Sequence, residues 1–171
     1  ALITARLHKR LKAVGAASFG AYLQYLERDT SGGELVMLLD AISTNHTSFF
    51  REPQHFEYLK TTVLPEWLQR PGRGHFAMWS AACSSGEEPY SIAMLLADCL
   101  REAPWEIVAS DISTRVLERA RSAHYAMERA EHIPEAYLRA YCLKGVGRQE
   151  GTFMIDQRLR GKINFKQVNL N

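Results

Sequence analysis

The sequence predicts an α/β fold: a small all-α lobe, then a parallel sheet with right-handed crossovers, with an antiparallel hairpin appendage carried on the sheet. Three observations predict it. From Phe76 to Arg121 short apolar runs alternate with helical patterns, as strand-helix-strand units do. Before Phe76 the apolar residues recur at helical spacing. After Tyr125 the alternation stops, and short runs separated by glycine take over, the mark of hairpins.

The first segment, about Ala1 to Val14, puts Leu2, Ile3, Leu7, Leu11 and Val14 on one helical side and Arg6, Lys9, Arg10 and Lys12 elsewhere. Between Ala1 and Arg28 five Lys or Arg stand against one acid, Glu27. Two readings of that charge stay open, a solvated helix face and a docking surface for an acidic helix. A second helix near Phe19 to Glu27 turns Phe19, Tyr22, Leu23 and Leu26 inward, and a third near Glu34 to Ile42 offers Leu35, Leu38, Leu39 and Ile42. Gly32 and Gly33 separate the two. The residues from Thr44 to Phe50 break the periodicity, and a helix resumes from about Pro53 through Leu64. Phe49 and Phe50 read as core plugs rather than stacking platforms. Pro65 to Gly74, rich in proline and glycine, reads as a linker. The expected division is therefore a lobe over residues 1–64, a linker over 65–74 and a sheet domain from 75 to 171.

The sheet domain opens with Phe76 to Ala81, whose apolar run suits a strand buried on both faces. A tight turn of small residues follows, Ala82-Cys83-Ser84-Ser85-Gly86. Pro89 then suits a first helical turn, and Ile92, Leu95, Leu96 and Leu100 recur at helical spacing. Trp105 to Ser110 is the second strand and Thr114 to Arg121 the second crossover helix. Pro134 to Leu143 reads as another helix or its end. Gly145-Val146-Gly147 leads to two or three antiparallel strands built on Thr152 to Ile155 and Ile163 to Val168, a subdomain over about 141–165. The last run, ending at Val168-Asn169-Leu170, returns to the parallel sheet as its third strand.

In such sheets ligands bind at the carboxyl ends of the strands. The turn there carries almost no side-chain bulk, so a ligand can lie against bare backbone. It lacks the repeated glycines that hold a pyrophosphate, and Glu87 and Glu88 would repel one. Two carboxylates instead accept hydrogen bonds from hydroxyls or an ammonium, the groups that S-adenosylmethionine offers. Asp111 ends the second strand 25 residues beyond Gly86, where such folds grip a ribose. A rival reading of Glu88 stays open: Ser85-x-x-Glu88 is capping-box spacing.

Three strings together, Thr44-Asn45-His46-Thr47-Ser48-Phe49-Phe50-Arg51-Glu52, then Trp79 to Ile92, then Ala109-Ser110-Asp111-Ile112-Ser113, closely resemble the CheR family of chemotaxis receptor methyltransferases. The resemblance implies a Rossmann-like S-adenosylmethionine-dependent methyltransferase sheet, incomplete here, behind the helical lobe. It implies methyl esterification of receptor glutamates, with S-adenosylhomocysteine as product. Asn45, Thr47, Arg51, Glu88, Asp111, Asn169 and Leu170 then hold the cofactor, and Arg51 also steers a carboxylate. Without the family, Arg51 reads as an ion-pair partner of Glu52 or Glu57, and Asn169 and Leu170 as a frayed end. Arg6, Lys9, Arg10 and Lys12 become a docking face for the acidic receptor bundle. Gly145 and Gly147 resemble members that tether a peptide from the receptor's tail; the alternative is a hairpin that only covers the sheet's flank. Family members continue past Asn171 into further strands, with an Arg-Asn pair and a tyrosine near the methyl group, and begin with a further helix before Ala1. The chain is thus expected to be a central fragment, inactive by itself, and the alternative function is a catalytically silent module that binds cofactor or receptor.

Composition narrows the field. At 171 residues and 46% hydrophobic content the chain can bury one core, and a net charge of +2 is too weak to make nucleic acid the main partner. No run of 18 apolar residues exists. Cys83, Cys99 and Cys142 are odd in number and unpaired in spacing, which with the absence of a signal-peptide pattern in these residues points to the cytoplasm. Of the histidines only the loose His124, Glu128, His132 series approaches metal-ligand spacing, and it reads as a solvated helix side, so no metal is expected.

Overall fold

The computed structural model describes residues 2–42 and 46–170. Three helices form the lobe: α1 (Leu2–Val14), α2 (Phe19–Arg28) and α3 (Gly33–Ile42). Ser18 starts α2 by accepting the Ala21 N–H at 3.1 Å. The lobe's interior differs from the expected apolar pattern. Tyr22 is buried, but Phe19, Leu23 and Leu35 are exposed, and two acids on α3, Glu34 and Asp40, are inside. Glu34 is buried because it is fully partnered: the Arg10 fork donates to its two oxygens at 3.0 and 2.5 Å, and the Tyr22 hydroxyl donates at 2.6 Å. Arg10, expected on a docking face, thus stitches α1 to α3.

The next helix runs on into the first residues expected as a linker and ends at Leu68. α4 (Pro53–Tyr58) passes through a π turn (Leu59–Val63) into α5 (Leu64–Leu68), so Pro65 lies inside a helix. Proline has no N–H to donate and its ring crowds the carbonyl four residues back. The wider turn, in which the Leu64 N–H reaches back to the Leu59 carbonyl, accommodates it.

Two three-stranded sheets follow. The parallel sheet has the order β1-β2-β6, from β1 (Phe76–Ala81), β2 (Trp105–Asp111) and β6 (Ile163–Gln167). Phe76 pairs with Trp105 and Ile107 with Ile163, so all three strands end at the same side. The crossovers are α6 (Glu87–Leu100) and α7 (Thr114–Ser122). Among the described residues β1 lies at the edge of this sheet, and it is buried on one face rather than both. Phe76 and Ser80 point into the core while Trp79 is 59% exposed, its indole donating to the Ser110 hydroxyl at 2.9 Å.

The antiparallel sheet, order β3-β5-β4, begins and ends earlier than expected. It comprises β3 (His124–Ala126), β4 (Cys142–Lys144) and β5 (Thr152–Ile155), with α8 (Glu135–Tyr141) before β4. A short α9 (Gln157–Arg160) then returns the chain, and Ile163 to Gln167 joins the parallel sheet as its third strand, as expected of the last run, and so lies outside the antiparallel subdomain. One aromatic cluster fastens this sheet to the rest. Phe49, fully buried, sits edge-on to Tyr125 at 5.0 Å and beside Phe153 at 5.8 Å. Among the described residues no helix is long and apolar enough to cross a membrane.

Candidate functional site

The carboxyl ends of β1 and β2 face one cleft of about 290 Å³, lined by residues 46–48, Arg51, Phe56, the turn residues 82–84, Glu88, Asp111 and Ile112. The turn is built at some conformational cost. Ala82 and Ser84 have φ of +56° and +51° and Gly86 has +96°, so every second residue is left-handed. Side chains resist this region, and such outliers cluster where ligands are held. Gly86 is required on a second count: a Cβ there would lie 2.9 Å from Ala120 Cβ and from the Tyr125 hydroxyl. The close approach lets α6 start against α7 and β3.

Asp111 organises the turn. It is 6% exposed, and its carboxylate accepts the Ser84 N–H at 2.8 Å and the Ser113 N–H at 2.9 Å. An ionised carboxylate has about four acceptor positions, so two remain for a ligand. Glu88 does not form the capping box. Helix α6 has Gly86 at its N-cap with no side-chain cap, and Glu88 instead accepts from the Ser80 hydroxyl at 2.6 Å. Its neighbour Glu87, 1% exposed, pairs with Arg129. Burial, aided by the charge of Asp111, pushes the Cys83 thiol up to about 12. Cys83 lines the cleft but stays a thiol at neutral pH, and so offers no competing nucleophile.

The opposite wall comes from the stretch between the lobe and α4. Arg51 donates to the His46 carbonyl at 3.0 Å and forms no ion pair with Glu52 or Glu57 among the described residues. A guanidinium has five N–H donors, so others stay available for a ligand. Phe50 and Glu52 flank it at φ of +50° and +56°, so strained backbone occupies both walls. The cleft therefore opposes a cation to two carboxylates across a floor of small side chains.

The model of the CheR methyltransferase SAM binding domain matches residues 45–171, and that of the CheR methyltransferase all-alpha domain matches residues 1–43. The chain belongs to the CheR methyltransferase family. It is 42% identical over 167 residues to the chemotaxis protein methyltransferase of Escherichia coli, covering 96% of this chain and 56% of that protein. Chemotaxis protein methyltransferase 2 of Pseudomonas aeruginosa is 40% identical over 171 residues, covering 99% of this chain and 59% of that one. For the Borreliella burgdorferi chemotaxis protein methyltransferase the identity is 38% over 176 residues, at 99% and 61%. The chain thus spans a little over half the length of these CheR relatives.

S-adenosylmethionine is the cofactor of this CheR domain, and the donor set fits it. The carboxylates of Asp111 and Glu88 would accept from ribose hydroxyls and an ammonium, and the Arg51 guanidinium would donate to a carboxylate. The Ser84 hydroxyl, buried against the cleft, has no partner among the described residues. Of the residues expected at the site, Thr47, Arg51, Glu88 and Asp111 line the one cleft. Asn45 lies outside the described residues. Asn169 and Leu170 follow β6 on the same side, where the Val168 N–H donates to the Asp111 carbonyl at 3.1 Å, but neither lines the cleft. Arg6 donates to the Ile42 carbonyl at 2.7 Å, whereas Lys9 and Lys12 are exposed. Gly145 is locked in its turn, where a Cβ would collide with the Gln149 carbonyl; Gly147, at φ +58°, faces open space. Sequence reasoning missed Ser80, the Ser84 hydroxyl and Arg129, and it offered Glu87 beside Glu88 as an acceptor for a ligand, whereas Glu87 is buried, engaged by Arg129 and Ser85, and does not line the cleft. Ser80 stands at a strand end and so was findable by its position. The link from Arg129 to Glu87 has no local signal.

Proposed function

We propose that this chain forms the helical lobe and cofactor-holding part of a methyltransferase that esterifies glutamate side chains of chemotaxis receptors in the cytoplasm. The observation that supports it most is the meeting of Arg51, Thr47, Glu88 and Asp111 along one cleft at the strand ends. When bound, S-adenosylmethionine supplies an activated methyl group on a sulfonium. A glutamate carboxylate is ionised at neutral pH, its ordinary pKa being about 4.3, so the protein needs no general base. Its work is alignment, which can be worth roughly 7–11 kcal/mol. Asp111 would hold the ribose diol, Glu88 the cofactor's other donors, and Arg51 a carboxylate by its bidentate fork. Pairing too closely with the substrate would dull the nucleophile, so Arg51 orients rather than activates.

Receptor docking falls to the exposed cations Lys9 and Lys12 with Arg6, while Arg10 is engaged with Glu34. Among the described residues the β3-β5-β4 sheet has free strand edges, and the exposed Leu143 and Val146 beside Gly145 and Gly147 suit addition of a receptor tail peptide as one more strand. The deciding experiment is transfer of tritium from methyl-labelled S-adenosylmethionine to a receptor cytoplasmic domain by the protein made from its own gene, scored as base-labile ester. Label that is stable to base, or none, overturns the proposal. A second reading concerns residues 1–171 tested alone. Among the described residues β1 has an unpaired edge and carries the exposed Trp79, which favours a module that binds cofactor without turnover. Esterification by the 171-residue chain would remove that reading.

A further inference from the structure

Two struts leave one short stretch of chain and end on opposite walls of the cleft. The stretch is β3 and the 3₁₀ turn after it, Met127–Ala130. The first strut is the Tyr125 hydroxyl, which donates to the Ser85 carbonyl at 2.7 Å on the turn side. Burial, reinforced by the charge of Glu87, holds this phenol well above its ordinary range, so it remains a donor. The second strut is Arg129. One of its terminal nitrogens donates both to the Glu87 carboxylate and, at 3.0 Å, to the Thr47 carbonyl. Glu87 is 1% exposed, and its other oxygen accepts from the Ser85 hydroxyl at 2.7 Å. A carboxylate so deeply buried requires a cation, and that requirement fixes where the guanidinium sits. Thr47 lies two residues before Phe49, which packs edge-on against Tyr125, so carbonyl and ring register the same segment. Of the residues touched, Thr47 lines the cleft, whereas Arg129 does not.

We infer that Arg129 is a positioning residue: through Glu87 and the Thr47 carbonyl it clamps the wall that carries Thr47 to Arg51 against the start of α6, and so sets the width of the cofactor cleft. The inference rests on reading that cleft as the cofactor site. Replacing Arg129 alone strands a buried carboxylate and endangers folding, so the informative variant is the double substitution Glu87→Gln with Arg129→Gln. It leaves no unpaired charge, and the glutamine that replaces Arg129 is too short to reach Thr47. Arg129→Lys keeps the charge and most of the reach, and serves as the rescue.

The measurements are calorimetric affinity for S-adenosylhomocysteine, amide hydrogen exchange over residues 46–51 without ligand, and the thermal midpoint, with Asp111→Ala as a control. The expected result for the double variant is faster exchange over 46–51 and affinity about tenfold weaker, the worth of one charge-assisted contact, with a folded protein. Arg129→Lys should stay within about threefold of the parent, a fraction of one such contact. Unchanged exchange, or unchanged affinity while Asp111→Ala loses it, overturns the clamp and leaves the cofactor reading standing. Unchanged affinity in both the double variant and Asp111→Ala overturns the cofactor reading, and the clamp's role falls with it.

Discussion

Asp111→Asn separates the two duties of the carboxylate that closes β2. In the protein it accepts two backbone N–H groups, from Ser84 and Ser113, and hydrogen bonds to a charged group are worth roughly 1.5–3 kcal/mol each. Asparagine keeps the shape and one acceptor oxygen, but turns an NH₂ toward the other amide. One bond is lost and one buried N–H is left unmet, for about 2 kcal/mol. In a chain of 171 residues that lowers the thermal midpoint by about 4–8 °C. If the remaining acceptor positions take the ribose hydroxyls, affinity for S-adenosylhomocysteine falls at least about tenfold as well, since one charged hydrogen bond is lost. Calorimetry and a thermal melt on the same preparation read both numbers. A lowered midpoint with unchanged affinity would reduce Asp111 to a clasp on the turn. No change in either would refute the contacts themselves.

Gly86→Ala forces a left-handed alanine whose Cβ meets Ala120 and Tyr125 at 2.9 Å, so urea denaturation should show a loss of about 2–5 kcal/mol; a loss below about 1 kcal/mol would mean the turn relaxes freely. Burial alone would raise Glu34, but the Arg10 fork and Tyr22 hydroxyl outweigh it and hold it below the ordinary carboxylate range. A lowered folded-state pKa gives stability that is present above the unfolded value, about 4.3, and lost as pH falls through the folded one, so lobe helicity should decline on acidification below about pH 4. Glu34→Gln should cost roughly 3 kcal/mol at pH 7 and flatten that decline; circular dichroism against pH decides, and an unaltered acid profile would count against the Arg10–Glu34 pairing. In Gly147→Val the added Cβ meets nothing within 4 Å but valine resists φ of +58°, so the change should impair binding of a receptor tail peptide while sparing cofactor affinity. Equal peptide affinity in parent and variant, or none in the parent, removes the tether.

Much of this protein is legible along the chain because the deciding forces are local. Gly32 and Gly33 at the junction of α2 and α3, Pro89 in the first turn of α6, and the apolar runs of β1 and β2 mark their elements within a residue or two. The turn's small residues and Asp111 stand at the ends of two consecutive strands, so the floor of the site is legible from the order of elements alone. What tertiary structure decided are the places where a side chain's partner is remote. Glu34 is buried because Arg10 and Tyr22, on two other helices, converge on it, and periodicity counts an acid as solvent-facing. Trp79 is exposed because it lies on the face of β1 opposite the buried Phe76 and Ser80, and which face is covered is a property of the sheet and not of the strand. Pro65 sits within a helix because a π turn absorbs it, which composition cannot foretell. β3 has three residues, too few for a period, and exists through its pairing with β5. Arg129 reaches Thr47 across 82 positions of sequence, and no local rule encodes that distance. Backbone propensity and short-range patterning act over one or two turns of chain, so they specify elements. Desolvation of a charge and closure of a cleft depend on groups that only the folded chain brings together.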